Sequence, residues 1–206
     1  MQTAQYTIKL FTSETWPDFV TLFGKHKGVR GGCWCTSNRC TSSQYDIMTR
    51  DERKTFQEVL VNQGEGYGLL VYDGDQPIAW CQFGPATGFP RYDRGRTYSK
   101  LDIPVAWRPQ WRISCLFVDK HRRKEGWSSV ALREAVAHIG RNGGGVVEAF
   151  PFDLPNAKTI SYTGTVDMFR KHGFEEVASV GKDRLLMRRR INHDANDQEP
   201  AAIVGN

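Results

Sequence analysis

Several large protein classes are excluded by what this sequence lacks. Within its 206 residues no apolar run approaches the ~20 residues needed to span a membrane. Met1–Lys9 carries no basic-then-apolar leader pattern, so the expectation is a cytoplasmic protein that is not secreted. No Lys/Arg run is long enough to form a nucleic-acid surface, and no internal repeat is present. Neither G-x-G-x-x-G nor a Walker ending G-K-[ST] occurs, so neither a dinucleotide fold nor a P-loop is expected. Cysteine is sparse and odd in number: Cys33, Cys35, Cys40, Cys81 and Cys115. An odd count without a leader points to reduced thiols. Cys33-Trp34-Cys35 is a C-x-C pair, whereas zinc sites use C-x₂₋₄-C pairs, and His26 is the only histidine nearby. No metal is expected; the cysteines read as small buried hydrophobes in a turn that starts at Gly31-Gly32.

What is present suits one soluble domain. Apolar residues make up 39% and charged residues 25%, a globular composition. Lys plus Arg is 28 against 23 Asp plus Glu, a net charge of +5 that suits an anionic small ligand. The alternation Tyr6-Thr7-Ile8-Lys9-Leu10 predicts a strand. Ser13 or Thr15 caps a helix through Trp16, Phe19, Val20 and Phe23, with Pro17 in its first turn. Residues 24–43 read as loop. Thr49-Arg50-Asp51-Glu52 is a capping box opening a helix to about Gln63-Gly64. Two strands, 67–72 and 77–83, flank the turn Asp73-Gly74-Asp75. Residues 84–110 show no periodicity, and a loop of that length is often a binding loop or lid. Trp111–Val118 is rich in β-formers and reads as a central strand buried on both faces. Leu132, Ala135, Val136 and Ile139 form one apolar stripe on a helix over 126–141. A strand at 146–150, a short helix capped by Thr163 or Thr165 and ended by Gly173, and a hairpin of 175–180 with 184–190 complete the domain, taken as 1–190. The polar, acidic stretch 191–206 reads as a disordered tail.

The chemistry concentrates in the turn Asp119–Ser128. A strand that feeds a basic, glycine-containing turn at a helix N-terminus makes an anion site, because backbone N–H groups and the positive helix end face the ligand. Gly126 carries no Cβ to block close approach.

Arg123-Lys124-Glu125-Gly126-Trp127-Ser128 resembles the R/Q-x-x-G-x-G/A pyrophosphate loop of the GNAT-superfamily acyl-CoA N-acyltransferases, with Ser128 where the family has Gly or Ala. Met168–Phe174 resembles the family's closing helix, which ends Gly-Phe. The order of elements over roughly 6–190 matches as well. The resemblance implies an α/β (α+β) GNAT fold with a central mixed twisted sheet flanked by helices. It implies transfer of the acetyl group of acetyl-CoA to a primary amine by direct attack. It also implies a pyrophosphate on Arg123, Lys124, Glu125, Gly126, Trp127 and Ser128, and a pantetheine arm along Leu116, Phe117 and Val118. The family's closing helix commonly carries a Tyr that protonates the leaving thiolate. Phe169 stands there instead, and Tyr162 is the nearest phenol; a thiolate can also leave without a dedicated acid.

The attacking amine must lose a proton. Glu148 lies between apolar neighbours and reads either as a base made useful by burial or as the outward residue of a half-buried strand. Asp153 is a second acidic candidate, and His172 more simply serves a helix C-terminus. A backbone N–H near Phe117 or Val118 would hold the oxyanion. Trp34, Trp80, Cys81 and the aromatic–arginine loop 84–110 are the candidate walls for the acceptor, a small amine. A protein Lys or N-terminal acetyltransferase and a non-catalytic acyl-CoA-binding module are the alternatives. A homodimer is compatible with the sequence.

Overall fold

The computed structural model describes residues 6–153 and 162–193. Its frame is a seven-stranded sheet in the order β1-β2-β3-β4-β5-β7-β6. β1 (Thr7–Leu10) pairs antiparallel with β2 (Leu69–Asp73), and β2 with β3 (Gln76–Pro85) across the expected tight turn. β4 (Trp111–Val118) pairs antiparallel with β3 and parallel with β5 (Gly145–Ala149). The hairpin of β6 (Glu175–Ser179) and β7 (Leu185–Ile191) closes the far edge, with β7 against β5. Mixed pairing therefore centres on β4, and the central-strand expectation for 111–118 is met residue for residue.

Both faces of the sheet are covered. α1 (Trp16–Gly24) lays Phe19, Leu22 and Phe23 on a cluster with Phe11, Trp80 and Phe117. On the opposite face α5 (Trp127–Arg141) buries Leu132, Ala135 and Ile139 of the expected stripe and Ala131 beside them, with Val136 only partly buried. The helix between them in sequence, α3 (Arg50–Asn62), opens on the full capping box of Thr49 and Glu52. α2 (Ser42–Ile47) was not expected; it starts inside the segment read as loop, and Thr41 with Gln44 forms a second capping box. Among the described residues no helix is long and apolar enough to cross a membrane.

The segment 84–110 is not structureless. It holds α4 (Pro90–Asp93) and three single 3₁₀ turns, at 86–88, 98–100 and 105–107. α6 (Val166–Lys171) is capped by Thr165, whose side chain accepts the Met168 N–H at 3.3 Å. β7 ends on the buried Ile191, and the expected tail beyond His193 lies outside the described residues.

Candidate active site

Two features of β4 build the site. The first is a shift in its pairing with β3. Gln82 opposes Cys115 but Phe83 opposes Ile113, so Ser114 is an extra residue. A bulge re-aims side chains. Here Ser114 and Cys115 both line the same cavity, while Leu116 returns to the α5 face. The second feature is that β4 and β5 part company. Their pairing covers Trp111–Ile113 with Val147–Ala149 and stops. Beyond it, the Leu116 N–H donates to the Tyr162 carbonyl at 2.7 Å.

A cavity opens on each side of Tyr162. The smaller, about 340 Å³, is lined by Leu116, Phe117, Val118, Arg122, Arg123, Lys124, Gly126, Trp127, Ser128 and Tyr162. All the residues expected to hold acetyl-CoA lie here except Glu125, whose place Arg122 takes in the lining. The Glu125 carboxylate instead accepts Arg122 Nε and Trp127 Nε1, each at 2.9 Å, and so braces the loop. Arg122 also reaches Asp73 at 2.7 Å.

The local backbone explains the glycine. Gly126 is the N-cap of α5 at φ +88°, where a side chain is strained, and a Cβ there would meet only open space. Lys124 is left-handed too, at φ 68°. No side chain caps α5; the Ser129 N–H bonds the Gly126 carbonyl at 2.9 Å, and no side-chain acceptor competes at the helix start. Basic side chains, an uncapped 15-residue helix and a left-handed glycine form a cradle that fits a pyrophosphate.

The larger cavity is about 560 Å³. Cys33, Cys35, Gln82, Ser114, Cys115 and Tyr162 line it on one side; Tyr92, Tyr98 and Phe150 bring aromatic surface; Arg30, Arg91, Arg96 and Arg184 bring charge. Its floor is hydrogen-bonded internally: Ser114 Oγ donates to Gln82 Oε1 at 2.7 Å, and Gln82 Nε2 to the Cys35 carbonyl at 2.9 Å. Cys35 and Cys115 have sulfurs 3.2 Å apart, and Trp80 Nε1 donates to Cys35 Sγ at 3.2 Å. Val29, Arg30 and Cys35, on the 24–41 segment, all have positive φ, a strained backbone of the kind found at functional sites. The five cysteines are free thiols, and no cluster of His, Cys, Asp and Glu among the described residues could hold a metal ion.

The lid segment is pinned from below. Arg112 is buried under it and donates to both carboxylate oxygens of Asp93, one at 2.9 Å, and to the Ala86 and Phe89 carbonyls. Tyr98 donates to Glu148 Oε2 at 2.7 Å, and its hydroxyl is pushed up to about 12 by burial and by that carboxylate.

Several expected residues lie elsewhere. Glu148 is fully buried and lines neither cavity. Its Oε1 accepts Arg188 Nε and Nη2 at 2.9 and 2.8 Å, and its Oε2 accepts Arg112 Nε at 3.3 Å besides Tyr98. A carboxylate so enclosed has no lone pair free for an incoming amine, which argues against a direct base. Trp34, Trp80 and Cys81 line neither cavity: all three are buried, Trp34 and Trp80 in the cluster that α1 covers and Cys81 in the core on the opposite, α5 face of the sheet. Phe169 is a core residue, edge-on to Phe174 at 5.1 Å. Asp153 is exposed and lines neither space. His172 meets Ser129 Oγ at 2.7 Å through Nε2.

No family model matches the chain, and no curated protein matches it. Solved structures do. An N-acetyltransferase from Staphylococcus aureus superposes with a TM-score of 0.53 at 14% identity, over 90% of this chain and 98% of that one. The yncA protein of Salmonella typhimurium, solved with its cofactor acetyl-CoA, gives 0.51 at 16% identity, over 96% of each chain. A ribosomal-protein-alanine N-acetyltransferase from Brucella melitensis gives 0.52 at 16%, over 90% and 99%. This is the GNAT fold. At such identities the likeness carries the architecture, and the chemistry must come from the site. In the GNAT fold of this chain, β4 divides the two cavities and Tyr162 borders both.

Proposed function

We propose that this protein is an acetyl-CoA-dependent N-acetyltransferase acting on the primary amine of a small molecule. The observation that carries the reading is the pair of cavities sharing Tyr162: a phosphate cradle on one side, and a polar, aromatic space on the other. The acyl group of acetyl-CoA would lie between them, beside Leu116–Val118. An amine in the larger cavity attacks the thioester carbonyl; the C–N bond forms, the C–S bond breaks, and the thiolate takes a proton. Tyr162, which borders both cavities, would give that proton. Backbone N–H groups at Phe117 or Val118 would face the oxyanion. The amine reaches the carbonyl neutral, its proton passing to water rather than to Glu148. Positioning then supplies much of the acceleration.

The pinned lid is the feature that favours a small acceptor over a peptide: residues from 91–98 line the larger cavity and are tied down beneath it through Asp93 and Tyr98. Protein N-terminal acetylation, the activity named for the Brucella structure, is the second reading. Five free thiols suit a reducing compartment, which favours the cytoplasm. An amine-panel screen for CoA release tests the proposal. Release with a small amine supports it. Acetyl-CoA binding without turnover across small amines and peptides would leave a binding module; turnover of peptides alone would favour the second reading.

A further inference from the structure

The buried guanidiniums of this protein have carboxylate partners. Arg39 meets Glu65, Arg112 meets Asp93 and Glu148, and Arg188 meets Glu148. The larger cavity breaks that pattern. Arg30, Arg91, Arg96 and Arg184 line it, no Asp or Glu does, and none of the four makes an ion pair among the described residues. Arg30 and Arg96 are exposed, so water accounts for them. Arg91 and Arg184 are half-buried, and water accounts for them less well. Each spends one N–H on a backbone carbonyl: Arg91 on Ser37 at 2.9 Å, Arg184 on Phe150 at 3.3 Å. A guanidinium has five donors, so most of each fork is uncommitted. Burial, together with Arg30 and Arg91, holds the Arg184 guanidinium below its usual range.

Tyr92 is the independent second observation. It lines the same cavity, its ring stacked on Phe150 at 3.9 Å between centroids. Its hydroxyl is buried and has no hydrogen-bond partner among the described residues. Orphan buried donors are rare and usually mark a missing ligand or water. Both Arg184 and Arg91 are close enough to this hydroxyl to lower its pKa against the burial that raises it. Two guanidiniums without a carboxylate partner and one hydroxyl without a hydrogen-bond partner thus line the same space.

We propose that Arg91, Arg184 and Tyr92 form an oxyanion subsite, so that the acceptor is an amine bearing a carboxylate or phosphate group. The inference rests on the larger cavity being the acceptor space. Planar guanidiniums match either oxyanion in a bidentate fork, and the stacked Tyr92–Phe150 pair offers a flat wall to the group that carries it.

The test uses three probes on the full chain, with and without saturating CoA: 4-hydroxyphenylacetate, phenyl phosphate and the uncharged 4-hydroxyphenylacetamide. The two anions should raise the melting temperature and the amide should not; the tighter anion names the preferred group. Arg184→Gln should weaken anion binding about ten- to hundredfold, the worth of a lost charge-assisted pair of hydrogen bonds, and leave CoA binding unchanged. Arg184→Lys should restore part of it, since the charge returns without the fork. The ligand-free melting temperature of Arg184→Gln should hold or rise, because an unpaired, half-buried cation is removed. No response to either anion, an equal response to the amide, or wild-type anion binding by Arg184→Gln would overturn the subsite. Failure of CoA to bind would instead strike the acetyltransferase reading, and the CoA-free arm would still judge the subsite.

Discussion

The carbonyl of Tyr162 and the N–H of Leu116 are joined by a 2.7 Å hydrogen bond. It stands where β5 has already left β4, so the chain at 162 takes the place of a strand neighbour and borders both cavities. The bond is made by backbone, which frees the phenol for chemistry and separates the two roles experimentally. Tyr162→Phe keeps the bond and removes the proton. Turnover should fall by about ten- to hundredfold, toward the low end for general acid catalysis because a thiolate is a fair leaving group. Acetyl-CoA affinity, read by thermal shift, should stay put. Unchanged turnover would mean that the thiolate leaves unaided.

The phosphate cradle is tested by charge at fixed backbone. Gly126 lies at φ +88°, so any side chain there strains the N-cap. Asn and Asp tolerate the left-handed region about equally well. Gly126→Asn and Gly126→Asp should therefore lose similar stability, on the order of 1 kcal/mol. Only Gly126→Asp should abolish the acetyl-CoA thermal shift, by setting a carboxylate against the pyrophosphate. Equal binding by the two variants would move the phosphates elsewhere.

Glu148 distinguishes a base from a keystone. Its four hydrogen bonds come from Arg188, Arg112 and Tyr98, all in the buried interior. Glu148→Gln leaves Arg188 without its carboxylate and weakens the anchor of Tyr98. Breaking a buried pair costs about 3–5 kcal/mol. The melting temperature should fall by roughly 10 °C for a chain of this size. Residual activity should keep the acid limb of the wild-type pH–rate profile. A stable variant that loses that limb would restore Glu148 as the base.

That residue also shows where sequence reading stops. The strand around it, the helix stripe on α5, both hairpins and the glycine turn that opens α5 are legible, because periodicity, turn chemistry and glycine placement are local. The choice between an inward base and an outward strand residue was open, since Glu148 turned inward for a third reason. Arg112 lies 36 residues away and Arg188 lies 40 away, and register alone brings them opposite: Glu148 pairs with both in the sheet. Trp80 and Cys81, expected as acceptor walls, lie in the core for a related reason. The two are neighbours on β3 and point to opposite faces, and both faces are covered: Trp80 by α1 and the 24–41 segment, Cys81 by the core against α5. Only α2 carried a signal that was readable and passed over, the T-x-x-Q box at Thr41.

The cysteines differ in reactivity by position. Burial pushes the thiols of Cys35 and Cys81 well up, Cys35 further through its contact with Cys115, and Cys40 is raised by burial as well. Thiolate is the reactive form. Native alkylation with iodoacetamide should mark the half-exposed Cys33 and Cys115 first and spare Cys35, Cys40 and Cys81. Denatured protein should titrate as five thiols, with no stoichiometric zinc by elemental analysis. One zinc per chain, lost with Cys33→Ser or Cys35→Ser, would overturn this assignment.

Stability should fall as pH falls through the histidine range. Burial lowers the pKa of His26, His138 and His172 below the ordinary 6.5; for His26 the nearby Asp119 carboxylate opposes the shift without reversing it. Their folded forms bind fewer protons than the unfolded chain does just below 6.5, so acid favours unfolding there. The stability these groups contribute is present above 6.5 and is lost as pH drops through each folded value. Asp119 acts in a lower window. Burial raises its carboxyl, but the His121 N–H and the charges of His26 and Lys25 outweigh that and hold it below its ordinary 3.8. Its contribution is therefore intact through the histidine range and goes only in stronger acid. Melting temperatures measured between about pH 7.5 and 5 should decline steadily. His138 packs edge-on against Phe83 at 5.4 Å, and His138→Gln, which cannot take up a proton, should make that decline shallower. A flat profile in the wild type, or an unchanged slope in the variant, would show that these imidazoles protonate in the fold as easily as in the unfolded chain.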